Sequence, residues 1–324
     1  MPRSKETWKP YVNWALCISM GFMYQHGLGV EQDDMKSIRM TARSSLFGAS
    51  APQFQVGALD NSKLLNVPKN DATAEHYYRA AAEQGDAVAQ YNMGLIYEYG
   101  RGVEMNTKTA LWWYRQAAIQ GHAAAQNNLG IKNHGLHQDG FDQAVAINWI
   151  LRAAYQGYLP AILNMGTIYE YGQGIPKSEE IAADLFARVA QSGNPLAQVY
   201  YAEMLADGRG VPQDKKAAAK WYGLAAQQGN VFAQNIMGFL YLKGIGVGRD
   251  EQQALKWWSI PQGKENEIVV KYRHQIEGEM TPEQISQARN LARNLAQNLA
   301  QNLARNQARN QAQNLAQNWR ELHK

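Results

Sequence analysis

Apolar residues recur along this chain with a helical period, interrupted at fixed intervals by glycine. Between Asp86 and Tyr99, Ala89, Met93 and Tyr97 stand at i, i+4 and i+8 with Ile96 beside them, one stripe on a predicted helix. The stripe stops at Gly100, a residue suited to the left-handed position that closes a helix, and a Gly-x-Gly-Val turn follows. A second helix is predicted from the N-cap Asn106, through Ala110, Trp113 or Tyr114 and the pair Ala117–Ala118, to Gly121.

The pattern then repeats. Gly85, Gly121, Gly157, Gly193 and Gly229 are spaced by 36 residues; Gly94, Gly130, Gly166 and Gly238 keep that spacing, with Ala202 in the gap. Gly100, Gly172, Gly208 and Gly244 form a third series in the same phase. The second helices start at Asn70, Asn106, Asp142, Ser178, Asp214 and Asp250, all residues whose side chains cap a helix for about 1 kcal/mol each. Their aromatic positions read as Tyr77, Trp149, Phe186, Trp221 and Trp257. Glycine inside the first helix costs about 1 kcal/mol relative to alanine, so its recurrence predicts that the second helix passes close there. Gly21, Gly27, Gly29, Val30 and Asp33, then Gly48, Gln53 and Gly57, extend the register to two earlier units.

These positions carry a family resemblance. Ala89-Gln90-Tyr91-Asn92-Met93-Gly94, Tyr97-Glu98-Tyr99-Gly100-Arg101-Gly102-Val103 and the run from Lys220 to Gly229 resemble the Sel-1-like repeat, a relative of the tetratricopeptide repeat. The resemblance implies an all-α, right-handed α-solenoid of about seven antiparallel helix hairpins. It also implies adaptor and assembly roles, with protein ligands held on the concave side. Some bacterial relatives carry a cysteine pair in every repeat and are exported; this chain has one cysteine, Cys17, so that setting is not carried over. Units two and four depart from the pattern, with Lys63-Leu64-Leu65 and Leu136-His137-Gln138 where the glycine turn belongs. The expected organisation is a lead-in over 1–12, the repeat solenoid over 13–262, a cap or connector over 263–281 and a low-complexity helical tail over 282–324.

Composition narrows the function classes. The 324 residues are 45% hydrophobic, enough for a sizeable core, and one cysteine excludes an internal disulfide framework. No apolar run reaches membrane-span length, and the expected location is the cytoplasm. The last 42 residues carry a net +4, the charge of the whole chain, so the body is neutral and offers no broad basic surface for nucleic acid. The Gly-x-Gly turns follow helices and lack the Gly-Lys-Ser/Thr of a phosphate loop. Glu179–Glu180 read as first-turn acids at a helix N-terminus, and Trp112–Trp113 and Trp257–Trp258 as packing residues. His134, His137 and Asp139 are the one local set resembling metal ligands, and they support a metal-dependent enzyme only as a minor alternative. No catalytic constellation or cofactor is expected.

Function is instead expected on the first-helix faces. Asn92, Asn128 and Asn164 recur at 36-residue steps beside Tyr91 and Asn127, and Glu98 and Glu170 share another position. If the first helices line the concave face, these residues form a polar ladder able to donate to and accept from a peptide backbone. The other reading is that the asparagines bond between adjacent repeats. The tail, a tetrapeptide tandem from Asn294 onward, reads as one long solvated helix. Its leucine stripe drifts by about 40° per repeat, so it is no coiled-coil seam. Weak nucleic-acid binding or self-association through this basic helix is the second function class. The leading expectation is a non-enzymatic scaffold binding a protein or peptide.

Overall fold

The computed structural model describes residues 71–135, 143–260 and 267–322. Expectations for the first hairpin, the first helix of the second, Cys17, Asn70, Asp142 and the turns at 63–65 and 136–138 lie outside the described residues. The described residues form thirteen helices and no strand. In chain order these are α1 (Asp71–Ala82), α2 (Ala87–Tyr99), α3 (Thr107–Ile119), α4 (Ala123–Gly135), α5 (Gln143–Tyr155), α6 (Leu159–Tyr171) and α7 (Glu179–Gln191). They continue with α8 (Pro195–Asp207), α9 (Lys215–Gln227), α10 (Val231–Lys243), α11 (Glu251–Trp258), α12 (Glu267–Glu279) and α13 (Pro282–Leu322). Two compact units divide the chain, one of Met1–Arg152 with Gln313–Lys324, the other of Ala153–Ala312. No described helix is long and apolar enough to cross a membrane.

Within each unit, each helix packs on the next along the chain, as α1 on α2 and α2 on α3 in the first, and α6 through α11 in the second. The ends are set as the residue types dictate. Asn106, Ser178, Asp214 and Asp250 accept from the backbone N–H three residues on and start α3, α7, α9 and α11. Asp86, Asn194 and Asn230 do the same for α2, α8 and α10, a second capping series at the same 36-residue period. Gly100 closes α2 with φ 65°, and its N–H returns to the Ile96 carbonyl. The next glycine of that turn has another purpose. A β-carbon at Gly210 would lie 2.1 Å from the Glu179 carbonyl oxygen, so the turn of one repeat presses on the first turn of α7 in the repeat before.

The glycines inside the first helices mark the closest approach within each hairpin. A β-carbon at Gly94 would meet the Tyr114 ring at 2.4 Å, at Gly166 the Phe186 ring at 2.5 Å and at Gly238 the Trp258 indole at 2.1 Å. At Gly130 it would meet both Ile150 and, at 2.7 Å, the Ala146 carbonyl. The contact therefore falls one residue beyond most of the expected aromatic positions. Tyr78, Tyr114, Ile150, Phe186 and Trp258 are the fully buried set, whereas Tyr77, Trp149 and Trp221 are half-buried. Tyr114, Ile150, Phe186 and Trp258 are the side chains that meet the first-helix glycine of their own hairpin.

The tail begins as structure, not as a solvated rod. Ala288 and Ala292 are buried, and Leu295, Ala296 and Ala292 pack on the core around Tyr222, Met237 and Trp257. Leu291 is 44% exposed. With 100° per residue, a four-residue repeat advances by about 40° each time. The inward face accordingly passes from the alanine row at 288 and 292 to the leucine row at 295 and 299, where Leu299 reaches Gly229. Thr281 and Gln284 form a reciprocal capping box that starts the helix.

Two stability predictions follow from the close contacts. Gly166→Ala loses about 1–3 kcal/mol to overpacking against Phe186. Gly223→Ala, at a helix-interior glycine with only Met237 within 4 Å, gains roughly 0.5–1 kcal/mol. Urea titration followed by circular dichroism separates the two signs. Ending the chain at Thr281 uncovers the core under Ala288 and Ala292 and lowers the thermal midpoint.

Candidate functional site

In the first unit, the expected site residues of α2 and α4 lie about one buried phenol, Tyr114 of α3. Its hydroxyl donates to Glu98 Oε2 at 2.6 Å, and Lys132 Nζ pairs with Glu98 Oε1 at 2.7 Å. Asn128 hydrogen-bonds the same phenol. Tyr91 leans on Tyr114 at 5.7 Å between centroids and stacks on His122 at 4.7 Å. Asn92 donates to the Val88 carbonyl of its own helix at 2.9 Å, and Asn127 is buried. Tyr91, Glu98 and Asn128 are thus joined through Tyr114, while Asn92 is bonded within its own helix.

A cavity of about 230 Å³ opens beside Glu98, walled by Tyr99, Met105, Leu111, Tyr114 and Lys132. Tyr99 and Met105 are 59% and 68% exposed. An apolar rim around a paired carboxylate suits a partner side chain that is apolar with a polar tip.

Burial pushes Tyr114 far above the ordinary phenol range, and the facing Glu98 carboxylate adds to this. For Glu98, burial acts to raise the carboxyl, but hydrogen bonds from Lys132 and Tyr114 outweigh it and hold the group below 4.5.

In the second unit, Glu170 is buried and paired with Arg209. Arg209 also reaches Asp207 at 3.4 Å. Burial pushes the nearby Glu203 carboxyl up against the pull of Arg209. Asn164 is half-buried and has a polar partner of its own. Both glutamates therefore pair with a cation one repeat on, Lys132 for Glu98 and Arg209 for Glu170.

His137 and Asp139 lie outside the described residues, and so does the side chain of His134, whose backbone ends α4. Among the described residues no group of three histidine, cysteine or acidic side chains is placed to hold a metal.

One row of polar residues went unread in the sequence. Gln90, Gln126, Gln198 and Gln234 are buried, each donating Nε2 to the carbonyl eight residues earlier at 3.0–3.3 Å. Those carbonyls, of Ala82, Ala118, Ala190 and Ala226, end the preceding second helix. Gln120 and Gln228 then donate to Gln90 and Gln198 at 2.8 Å, tying the end of each second helix to the glutamine that bonds the repeat before. The signal was the Ala-Gln dipeptide at 36-residue steps, with Ile162 breaking the row.

The pH dependence has a definite sign. A carboxyl held below 4.5 in the folded state contributes stability that is fully present above 4.5 and is lost as pH falls through its lowered value. Thermal melts between pH 7 and pH 3 should show wild type losing stability below about pH 4.5 more steeply than Glu98→Gln.

The Sel1 repeat family matches residues 15–45, 53–86, 87–122, 123–158, 159–194, 195–230 and 231–260. The chain is similar to a protective antigen present in uropathogenic Escherichia coli strains that displays an SLR fold. That similarity has 30% identity and a TM-score of 0.67, over 91% of this chain and 64% of the antigen. This chain thus spans less than two thirds of that protein's length. It is also similar to a Sel1 repeat protein from Oxalobacter formigenes, at 30% identity and a TM-score of 0.61, over 79% of this chain and 87% of that one. No curated protein matches significantly. Seven matched repeats, the hairpin packing and these structural likenesses agree: the described elements are all helices, and the chain belongs to the Sel1 repeat family.

Proposed function

We propose that the protein is a non-enzymatic adaptor whose first helices bind a protein or peptide partner. In the first unit the contact residues are Tyr91, Asn92, Glu98 and Asn128, with buried Asn127 supporting them from within; in the second they are Asn164 and Glu170. The observation that carries this reading is the cavity beside Glu98. It couples a carboxylate already held ionised to Tyr99, which hydrogen-bonds it, and to exposed Met105 on the rim. A partner's backbone amide or hydroxyl can donate to Glu98, and its apolar side chain can cover the rim.

The single cysteine supports a reducing compartment, and cytoplasm is the proposed location. The protective antigen among the similar structures is the observation that favours an exported setting as a second reading. Cell fractionation distinguishes them. Nucleic-acid binding through the basic tail stays the weaker functional alternative.

Proximity labelling in the native cell should recover a protein partner with the full chain. The Asn92→Ala/Asn128→Ala double variant should lose most of it, a chain ending after Asn302 should keep it, and the single Asn164→Ala variant reads the second unit separately. Loss only on shortening the tail would move the function there.

A further inference from the structure

We infer that a second binding site, for an acidic peptide segment of a partner protein, lies in the groove between α9 and α10–α11 in the second unit. It is independent of the Glu98 face. The cavity measures about 750 Å³ and has apolar walls from Trp221, Leu224, Met237 and Trp257. Its charged lining is Lys216, Lys220 and Lys256, and among the described residues that line it there is no carboxylate. No described acid forms an ion pair with these lysines. Three cations of one sign beside a low-dielectric wall focus a field that favours an anionic ligand.

Two details point to a ligand and not merely to a solvated basic face. Gly223 lies inside α9, where Arg79, Arg115, Leu151 and Ala187 hold the equivalent place in other repeats. The helix-interior glycines of the first helices are forced by an atom of the second helix within 3 Å, but Gly223 has only Met237 atoms at 3.9 and 4.0 Å. Packing does not require glycine at 223, and the position lines the groove. The second detail is Lys256. Its ammonium lies 4.4 Å from the Trp257 ring centroid and donates to the neutral Gln253 Oε1 at 2.7 Å, with no described carboxylate in an ion pair with it. Burial holds it below the ordinary lysine range against the weaker pull of Asp250, so an entering carboxylate would relieve it. The Trp257 indole N–H, in the same wall, is buried with no acceptor among the described residues.

The same placement favours peptide over single-stranded nucleic acid. Base stacking needs an open ring face; Lys256 covers Trp257, which is only 3% exposed. A peptide alternating glutamate with leucine or phenylalanine satisfies both the lysines and the apolar wall.

The test uses the full chain and fluorescence anisotropy. One labelled probe is a short peptide alternating glutamate with leucine and phenylalanine, the second is its glutamine twin, and the third is oligothymidylate. The expected result is saturable, salt-sensitive binding of the acidic peptide alone. It should weaken about tenfold in Lys216→Glu/Lys220→Glu, where two exposed cations become anions, and by a similar factor in Gly223→Gln, which fills the groove without touching charge. Glu98→Gln should leave it unchanged, so failure here and failure of the first-helix site are distinguishable. Both groove variants keep a folded far-ultraviolet spectrum, because Lys216 and Lys220 are exposed and Gly223 has only Met237 atoms within 4 Å. No saturable binding, equal binding of the glutamine twin, tighter binding of oligothymidylate, or groove variants that bind as wild type would each overturn the proposal.

Discussion

The structure depends on a set of places where a β-carbon does not fit. In each regular hairpin a glycine in the first helix admits a large side chain from the second, as Gly166 admits Phe186. A glycine in the turn lets the next repeat rest on the helix start before it, as Gly210 rests on Glu179. Helix-interior glycine is unfavourable by about 1 kcal/mol relative to alanine, and the burial of Tyr114, Phe186 or Trp258 offsets that several-fold. Spacing within a hairpin and spacing between hairpins are thus set by two different glycines at the same 36-residue period.

Once those contacts are made, the ends of the helices need partners, and the repeat supplies them from its own register. Aspartate, asparagine and serine cap the starts, glycine closes the first helices, and buried glutamines take the last carbonyls of the second helices. The glutamines make repeat stacking directional: a bare apolar interface would tolerate sliding, whereas Gln228 to Gln198 and on to the Ala190 carbonyl fixes one register. What the packing does not use is left at the surface, and there the repeats stop being alike. Glu98 with Lys132 and Tyr99 marks one such place, and the lysines around Gly223 mark another.

Much of the fold was legible in the sequence because packing is periodic and period is what a sequence displays. The glycine phase, the N-cap series at Asn106, Ser178, Asp214 and Asp250, and the helix ends at Gly100 and its equivalents could all be read directly. The aromatic row was read one residue out at Trp149 and Trp221, since two adjacent large residues give the same period and only the close contact at Gly130 or Gly94 distinguishes them. The glutamine row was missed because a polar residue on an apolar stripe looks like a surface position until its carbonyl partner is seen. For the tail, the drift of the tetrapeptide was read correctly, but not its meaning: it passes the docking face from alanine to leucine. The candidate site was legible only as types and spacing. That Glu98 and Glu170 each pair with a cation of the following repeat depends on Lys132 and Arg209, which share no register.

The central claim is that partners meet the side chains that packing leaves over, not the exposed surface at large. Site-specific photo-crosslinking in the native cell tests it, with the crosslinker placed at Tyr99 beside the Glu98 cavity and, as the contrast, at Tyr155, which is 83% exposed. Discrete protein adducts from Tyr99 and none from Tyr155 is the predicted result. The same adducts from both positions, or none from Tyr99, would contradict it.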